Sequence, residues 1–191
     1  NGNILTSEMI RNVSRIDARD FTNGDEVYSH RITLKGIEYF TDLRELSCEF
    51  CVLDSLDVSK NTKLEILNFS DCLIREIDLS HNLDLIELYC NGKNLCKMNS
   101  GNFLEHLDLS QNTKLEKVEC YDNELKDITL NCPNLISLNC CRNHLTILDL
   151  SKSPKLTKLN CSDNQIETII VSHDSMLNLK KYENIQIKTN N

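Results

Sequence analysis

Residues 43 to 176 are six copies of one segment. LRELSCEFCVLDSLDVSKNTK (43–63) aligns with LEILNFSDCLIREIDLSHNLD (64–84), and LISLNCCRNHLTILDLSKSPK (135–155) with LTKLNCSDNQIETIIVSHDSM (156–176), each 21 residues long. Between them, LIELYCNGKNLCKMNSGNFLEHLDLSQNTK (85–114) carries nine extra residues and LEKVECYDNELKDITLNCPN (115–134) lacks one, so the copies tile without a gap. A unit this short cannot bury an apolar face by itself. It is stable only against a neighbour, so the period dictates a stacked solenoid.

Counting each copy from its first leucine as position 0, apolar residues recur at positions 0, 3, 5, 10, 13 and 15. A helix would space them by three and four throughout. Here positions 3 and 5 alternate with polar residues at 2, 4 and 6, the period-2 pattern of a strand with one buried face. The LDL or LDV triplet at positions 13 to 15 repeats that pattern on the other side of the coil. Asn123, Asn143 and Asn164 stand at position 8, and Asn61, Asn82 and Asn112 at position 18, where a turning chain needs side chains to satisfy backbone groups that no strand ladder serves.

These residues resemble the leucine-rich repeat family. The form LxxLxCxxNxLxxLDLSxN is similar to its short bacterial class, in which cysteine takes one strand core position, as in the cysteine-ladder internalins of Listeria and secreted proteins of gut bacteria. The resemblance covers residues 32 to about 180, and ITLKGIEYFTDL (32–43) matches the entry turn of internalin-like arrays through Leu34, Gly36, Ile37, Phe40 and Leu43. It implies an α/β-type repeat solenoid dominated by short parallel strands, with little helix outside an N-terminal cap. Leu5, Met9 and Val13 fall on one helical face with Thr6 as the cap candidate, and VSRIDA (13–18) reads as a first strand. The expected organisation is a cap and entry turn over 1–42, six coils over 43–176, and a C-terminal cap and tail over 177–191. Leu177, Leu179, Tyr182, Ile185 and Ile187 are expected to close the last coil, because a solenoid end exposes an apolar cross-section.

The ten cysteines sort by position. Cys48, Cys90, Cys120, Cys140 and Cys161 occupy position 5, which points inward, and form a structural ladder of small buried hydrophobes with raised pKa values and poor nucleophilicity. Cys51 and Cys72 stand at position 8 of adjacent coils, within reach of a disulfide, although two packed thiols are the favoured reading. Cys48-x2-Cys51 imitates half of a zinc site, but nothing completes four ligands, so no metal is expected. Cys96 lies in the insertion, identified as CKMNSGNFL (96–104), and Cys132 in the turn before Pro133. Cys141, at position 6, is expected to face out beside Arg142 as the best candidate for an accessible thiol, the alternative being a tolerated surface or half-buried cysteine.

Composition excludes several functions. The formal net charge is −8, and no run of Lys and Arg exceeds the pair Lys180-Lys181, so nothing collects phosphates and nucleic acid is not an expected partner. Apolar stretches fall far short of the roughly 20 residues that cross a bilayer, and no charged n-region with an apolar h-region opens the chain. Either the protein stays inside, or a signal was removed before Asn1. Five glycines and two prolines are few for phosphate loops or a deep pocket. The histidines His30, His81, His106, His144 and His173 fall at unrelated positions, and neither GxSxG nor HExxH occurs, so no enzymatic activity and no cofactor are expected. Asp57, Asp78, Asp108 and Asp149 stack at position 14, but the glycine-rich calcium-binding nonapeptide is missing, and local turn closure is the expected role.

The family resemblance implies that the strand face binds ligands. Glu87, Tyr89, Lys117, Glu119 and Tyr121 cluster there, with Arg142 near by. Exposed tyrosines among carboxylates suit recognition of a protein or a glycan, or they merely shelter neighbouring strands. The insertion is either a contact point or neutral length variation. The expected protein is a monomeric, non-enzymatic binding module, secreted or displayed on a bacterial surface, although no cell-wall sorting signal or lipid-anchor motif is evident. The alternative is a cytoplasmic scaffold or inhibitor with reduced thiols.

Overall fold

The computed structural model describes residues 10, 12–19, 33–53, 55–92, 101–182 and 184–190. One wall of the solenoid is a seven-stranded, wholly parallel sheet made of β1 (Arg15–Asp17), β2 (Glu45–Ser47), β3 (Ile66–Asn68), β4 (Glu87–Tyr89), β6 (Lys117–Glu119), β8 (Ser137–Asn139) and β10 (Lys158–Asn160), in that order. On the other wall β5 (His106–Leu109) pairs with β7 (Asp127–Leu130), while β9 (Ile147–Leu150), β11 (Thr168–Ser172) and β12 (Gln186–Asn190) form a second parallel group. The register brings position 3 of every coil into line, so Leu46, Leu67, Leu88, Val118, Leu138 and Leu159 stack across the sheet. All six are buried, and with Leu107, Leu109, Ile128, Leu130, Leu148 and Leu150 from the other wall they form one continuous core. Among the described residues no helix is long and apolar enough to cross a membrane, and helical structure is limited to short turns such as the 3-10 turns at Ile37–Tyr39 and Leu179–Tyr182.

Two columns of side-chain amides join the coils. At position 18, Asn61 Nδ2 donates to the carbonyls of Ile37 and Phe40, Asn82 Nδ2 to those of Val58 and Asn61, and Asn112 Nδ2 to those of Leu79 and Asn82, at 2.8 to 3.0 Å. The chain then changes chemistry at this position: Cys132 Sγ donates to Leu109 O and Asn112 O at 3.7 and 3.6 Å, and Ser153 Oγ is buried with no partner. At position 8, Asn123, Asn143 and Asn164 each give Nδ2 to the position-5 carbonyls of their own and the preceding coil and accept a backbone N–H on Oδ1.

The register also locates the insertion. Asn102 makes the position-8 contacts of its coil: Nδ2 donates to Phe69 O, Cys90 O and Asn91 O, and Oδ1 accepts from Cys72 N and Ile74 N. Residues 102 to 104 therefore belong to the regular coil, with Leu104 buried in the core. This corrects the assignment of the insertion to 96–104: the extra chain begins after Gly92 and ends at Gly101. Position 7, where it departs, is a tight spot. Phe50, Asp71, Asp122, Arg142 and Asp163 all adopt a left-handed conformation there with φ between 53 and 64°, and at Gly92 a Cβ would lie 1.4 Å from Asp122 O.

The ends are closed by different means. β1 adds a strand ahead of the first copy, whereas the Leu5 and Met9 part of the expected N-terminal helix lies outside the described residues. At the far end Leu177 is buried, and Leu179, Tyr182, Ile185 and Ile187 pack on the core. Tyr182 Oη donates to Leu159 O at 2.9 Å, capping the edge of β10, while β12 extends the other wall. The aspartates at position 14 close local turns, with Asp57, Asp78, Asp108 and Asp149 accepting the amides of Ser59, Ser80, Ser110 and Ser151 at 2.8 to 2.9 Å.

Candidate binding face

Strand alternation sends positions 2 and 4 to the outer face of the seven-stranded sheet. At its centre, parallel pairing sets Glu87 beside Lys117 and Tyr89 beside Glu119. Tyr89 donates its hydroxyl to the Glu87 carboxylate. Lys117 Nζ lies 4.8 Å from the centroid of the Tyr89 ring and 3.4 Å from its oxygen, and 3.5 Å from Glu119. Partial burial raises the phenol pKa of Tyr89, aided by Glu87, and that of Tyr121, aided by Glu119, so both rings carry their proton at neutral pH. Tyr121 and Arg142 lie past the strand ends, and Arg142 Nε pairs with Asp122 Oδ1 at 3.1 Å. The cluster is thus a half-buried patch of two rings, two carboxylates and one ammonium, in which contacts among Glu87, Tyr89, Lys117 and Glu119 order four of the five side chains.

Nine cysteines lie among the described residues, all buried and unbridged, and Cys96 lies outside them. Burial pushes the position-5 thiols of Cys90, Cys120, Cys140 and Cys161 above the ordinary cysteine range. Cys51 and Cys72 take the place of the position-8 asparagine: Cys51 Sγ lies 3.8 Å from Ala18 O, and Cys72 Sγ lies 2.9 Å from Cys48 O, the carbonyls that an amide would serve. Desolvation raises Cys51 to about 12 and Cys132 to about 11. Three of the thiols outside the core ladder are therefore amide surrogates that hold their protons.

Cys141 corrects the expectation of an accessible thiol. It is 5% exposed. Burial raises its pKa, outweighing the Arg142 guanidinium that lowers it. Beyond the strand ends, exposure at position 6 varies from coil to coil: Ser162 is exposed and Tyr121 half-buried, whereas Cys141 lies within. Ser70, at the same position, is buried as well.

His144 Nε2 pairs with Glu124 at 2.7 Å, and His106 Nδ1 with Asp127 at 2.6 Å, each across adjacent coils on exposed ground. These pairs tie adjacent coils together.

A second feature of the face was not anticipated. Where residues 177 to 182 cross the end of the sheet they wall a groove of about 420 Å³, lined by Glu119, Ser137, Asn139, Lys158, Asn160, Leu177, Lys181 and Tyr182 among others. Two sequence signals bear on it: asparagine at position 4 in consecutive coils, and the Lys180-Lys181 pair.

A scan against protein-family models matches none, and a search of curated proteins finds no match. Solved structures do match. A leucine-rich repeat protein of Leptospira interrogans superposes with a TM-score of 0.62 at 19% identity, over 82% of this chain and 40% of that one. An internalin C2 of Listeria monocytogenes superposes with a TM-score of 0.56 at 15% identity, over 97% of this chain and 84% of that one. This chain spans less than half the length of the Leptospira protein. Its parallel walls, its repeat of 21 residues and its buried column of thiols make it a solenoid of the leucine-rich repeat fold with a cysteine ladder.

Proposed function

We propose that this protein is a non-enzymatic binding module, secreted or displayed on a bacterial surface, that recognises a protein or a glycan through the outer face of its seven-stranded sheet. The observation that carries this reading is the ordered patch of Glu87, Tyr89, Lys117, Glu119 and Tyr121, with Arg142 at its border. Two protonated tyrosines offer apolar area with a polar tip, and the contacts among Glu87, Tyr89 and Lys117 reduce the entropy lost when a partner immobilises them. Cys90, Cys120 and Cys141 support a non-catalytic role, since burial raises their pKa values, and burial also makes the nine described thiols indifferent to the redox state of the compartment. That indifference equally suits the second reading, a cytoplasmic scaffold or inhibitor.

The test is a screen of immobilised glycans and candidate surface proteins against the wild-type chain and its Tyr89→Ala and Tyr121→Ala variants. A ligand of this face should lose at least about tenfold in affinity with either change. Binding that ignores both variants overturns the assignment of the patch.

A further inference from the structure

The groove at the C-terminal end of the sheet differs in charge from the rest of the face. Lys63, Lys114, Lys117 and Lys126 each reach a carboxylate, mostly on the preceding coil. Lys158 and Lys181 line the groove and ion-pair with nothing among the described residues. In a chain of net charge −8 they make a local positive site at the end of an otherwise acidic face.

Its hydrogen-bonding groups are equally committed in direction. Asn139 Oδ1 accepts from Cys141 N at 3.4 Å, and Asn160 Oδ1 accepts from Ser162 N and Oγ at 3.3 and 2.9 Å, which leaves the Nδ2 donors of both amides without a partner among the described residues. The two residues are register partners on adjacent strands, so their donors are spaced by the strand separation of about 4.8 Å. The Ser137 hydroxyl makes no bond among the described residues and lines the same groove, while Glu119, the register partner of Asn139, supplies an acceptor. The far wall is fixed, because Leu177 is buried and Tyr182 is tied to Leu159 O. The volume falls within the range of small-ligand pockets, about 300 to 1,000 Å³.

We propose that this groove is a subsite for an acidic sugar residue, a hydroxylated ring carrying one carboxylate. Lys158 and Lys181 hold the carboxylate, the amides of Asn139 and Asn160 and the hydroxyl of Ser137 bond the ring hydroxyls, and Glu119 accepts a hydrogen bond from one of them. An acidic peptide such as polyglutamate fits less well: it carries no hydroxyl that can accept from an amide and donate to Glu119 at once. The inference rests on the reading of the sheet face as the binding surface and narrows the ligand to one chemistry at one end of it.

The experiment uses the full chain and four probes: tetragalacturonate, tetraglucuronate, the methyl ester of tetragalacturonate, and a polyglutamate of matched charge. Binding is followed by calorimetry and by the side-chain amide NMR signals of Asn139 and Asn160. At least one of the two acidic oligosaccharides should bind, shift both amide signals, and lose at least about tenfold in affinity in Lys158→Gln/Lys181→Gln. The methyl ester should bind at least about tenfold more weakly than its acid, and Lys152→Gln, an exposed lysine elsewhere on the coil, should bind like the wild type. Four outcomes overturn the subsite: no binding of either acidic oligosaccharide, equal binding of acid and ester, indifference to the double lysine variant, or polyglutamate binding as tightly as the sugar. A ligand from the preceding screen that still depends on Tyr89 while the lysines prove irrelevant removes the subsite and keeps the face.

Discussion

Asn143 offers a direct measure of what one rung of the amide column contributes. Its Nδ2 donates to Cys120 O, Cys140 O and Cys141 O at 3.1, 3.0 and 3.2 Å, and its Oδ1 accepts from Leu125 N at 3.0 Å. Truncation to alanine does not strand these groups equally. Cys120 O keeps Asn123 Nδ2 at 3.2 Å, Cys140 O keeps Asn164 Nδ2 at 2.9 Å, and Cys141 O keeps Asp122 N at 3.0 Å. Only the Leu125 N–H loses the partner it has. One orphaned buried donor costs about 1–3 kcal/mol, and the weakened bonds of three carbonyls add about 1 more, so Asn143→Ala should destabilise the chain by roughly 2–4 kcal/mol. Asn143→Asp separates the two roles of the side chain. One carboxyl oxygen still serves Leu125 N, but the other replaces Nδ2 and faces carbonyl oxygens, so the acid is tolerated and the anion is repelled. The folded-state pKa of this aspartate is then raised above its unfolded value of about 3.9, and the native state binds more protons than the unfolded one. Stability relative to Asn143→Ala is greatest below the unfolded pKa and falls as pH rises towards the folded pKa, by about 1.4 kcal/mol per unit. Urea denaturation followed by far-UV circular dichroism from pH 4 to 7.5 reads this difference, and the alanine variant cancels the titration of every other group. An aspartate variant that tracks the alanine variant at every pH would show that the Nδ2 contacts are geometric coincidence.

Three further outcomes follow from the same contacts. Ser153→Asn should restore the position-18 column at its buried, unpartnered hydroxyl and stabilise by about 1 kcal/mol, raising the melting temperature by roughly 2–4 °C; a lower midpoint refutes the registration of Ser153 with Asn112 and Cys132. Gly92→Ala forces a Cβ to within 1.4 Å of Asp122 O, and the backbone shift this demands should cost about 3 kcal/mol or more in a thermal melt. In a native thiol titration at pH 8 the nine described cysteines should react only as the chain unfolds; a fast-reacting thiol that disappears in Cys141→Ser overturns the burial assigned to it.

The sheet wall, the core leucines and the position-5 thiols were legible because a two-residue alternation repeated six times leaves no other face for them. Past the ends of the strands the alternation is no longer uniform: at position 6 Ser162 is exposed and Tyr121 half-buried, while Ser70 and Cys141 are buried, so extending the pattern two residues beyond β8 placed Cys141 outside when it lies within. The insertion was misplaced for a different reason. Gly92 and Gly101 each stand within two residues of a following asparagine, and the bonds of Asn102 to Phe69 O and Cys72 N decide which glycine resumes the coil. Cys51, Cys72 and Cys132 were assigned to turns, but the pattern treats cysteine as apolar and could not show a thiol doing the work of an amide. The C-terminal groove depends on where the chain goes after the repeats end, and a repeat carries no information about that.

The place where the extra nine residues enter has a use of its own. Chain leaves at Gly92 and returns at Asn102, and the returning asparagine bonds to neighbouring carbonyls as Asn123 and Asn143 do in coils with no insertion. The scaffold registers the returning end of the insertion through Gly101 O, which accepts from Leu73 N at 3.1 Å, and through Asn102. The equivalent junctions Asp122-Asn123, Arg142-Asn143 and Asp163-Asn164 lie one strand apart beside the sheet face. They are ready-made acceptor sites for grafted loops, from which a designer could build a composite paratope on this array one coil at a time.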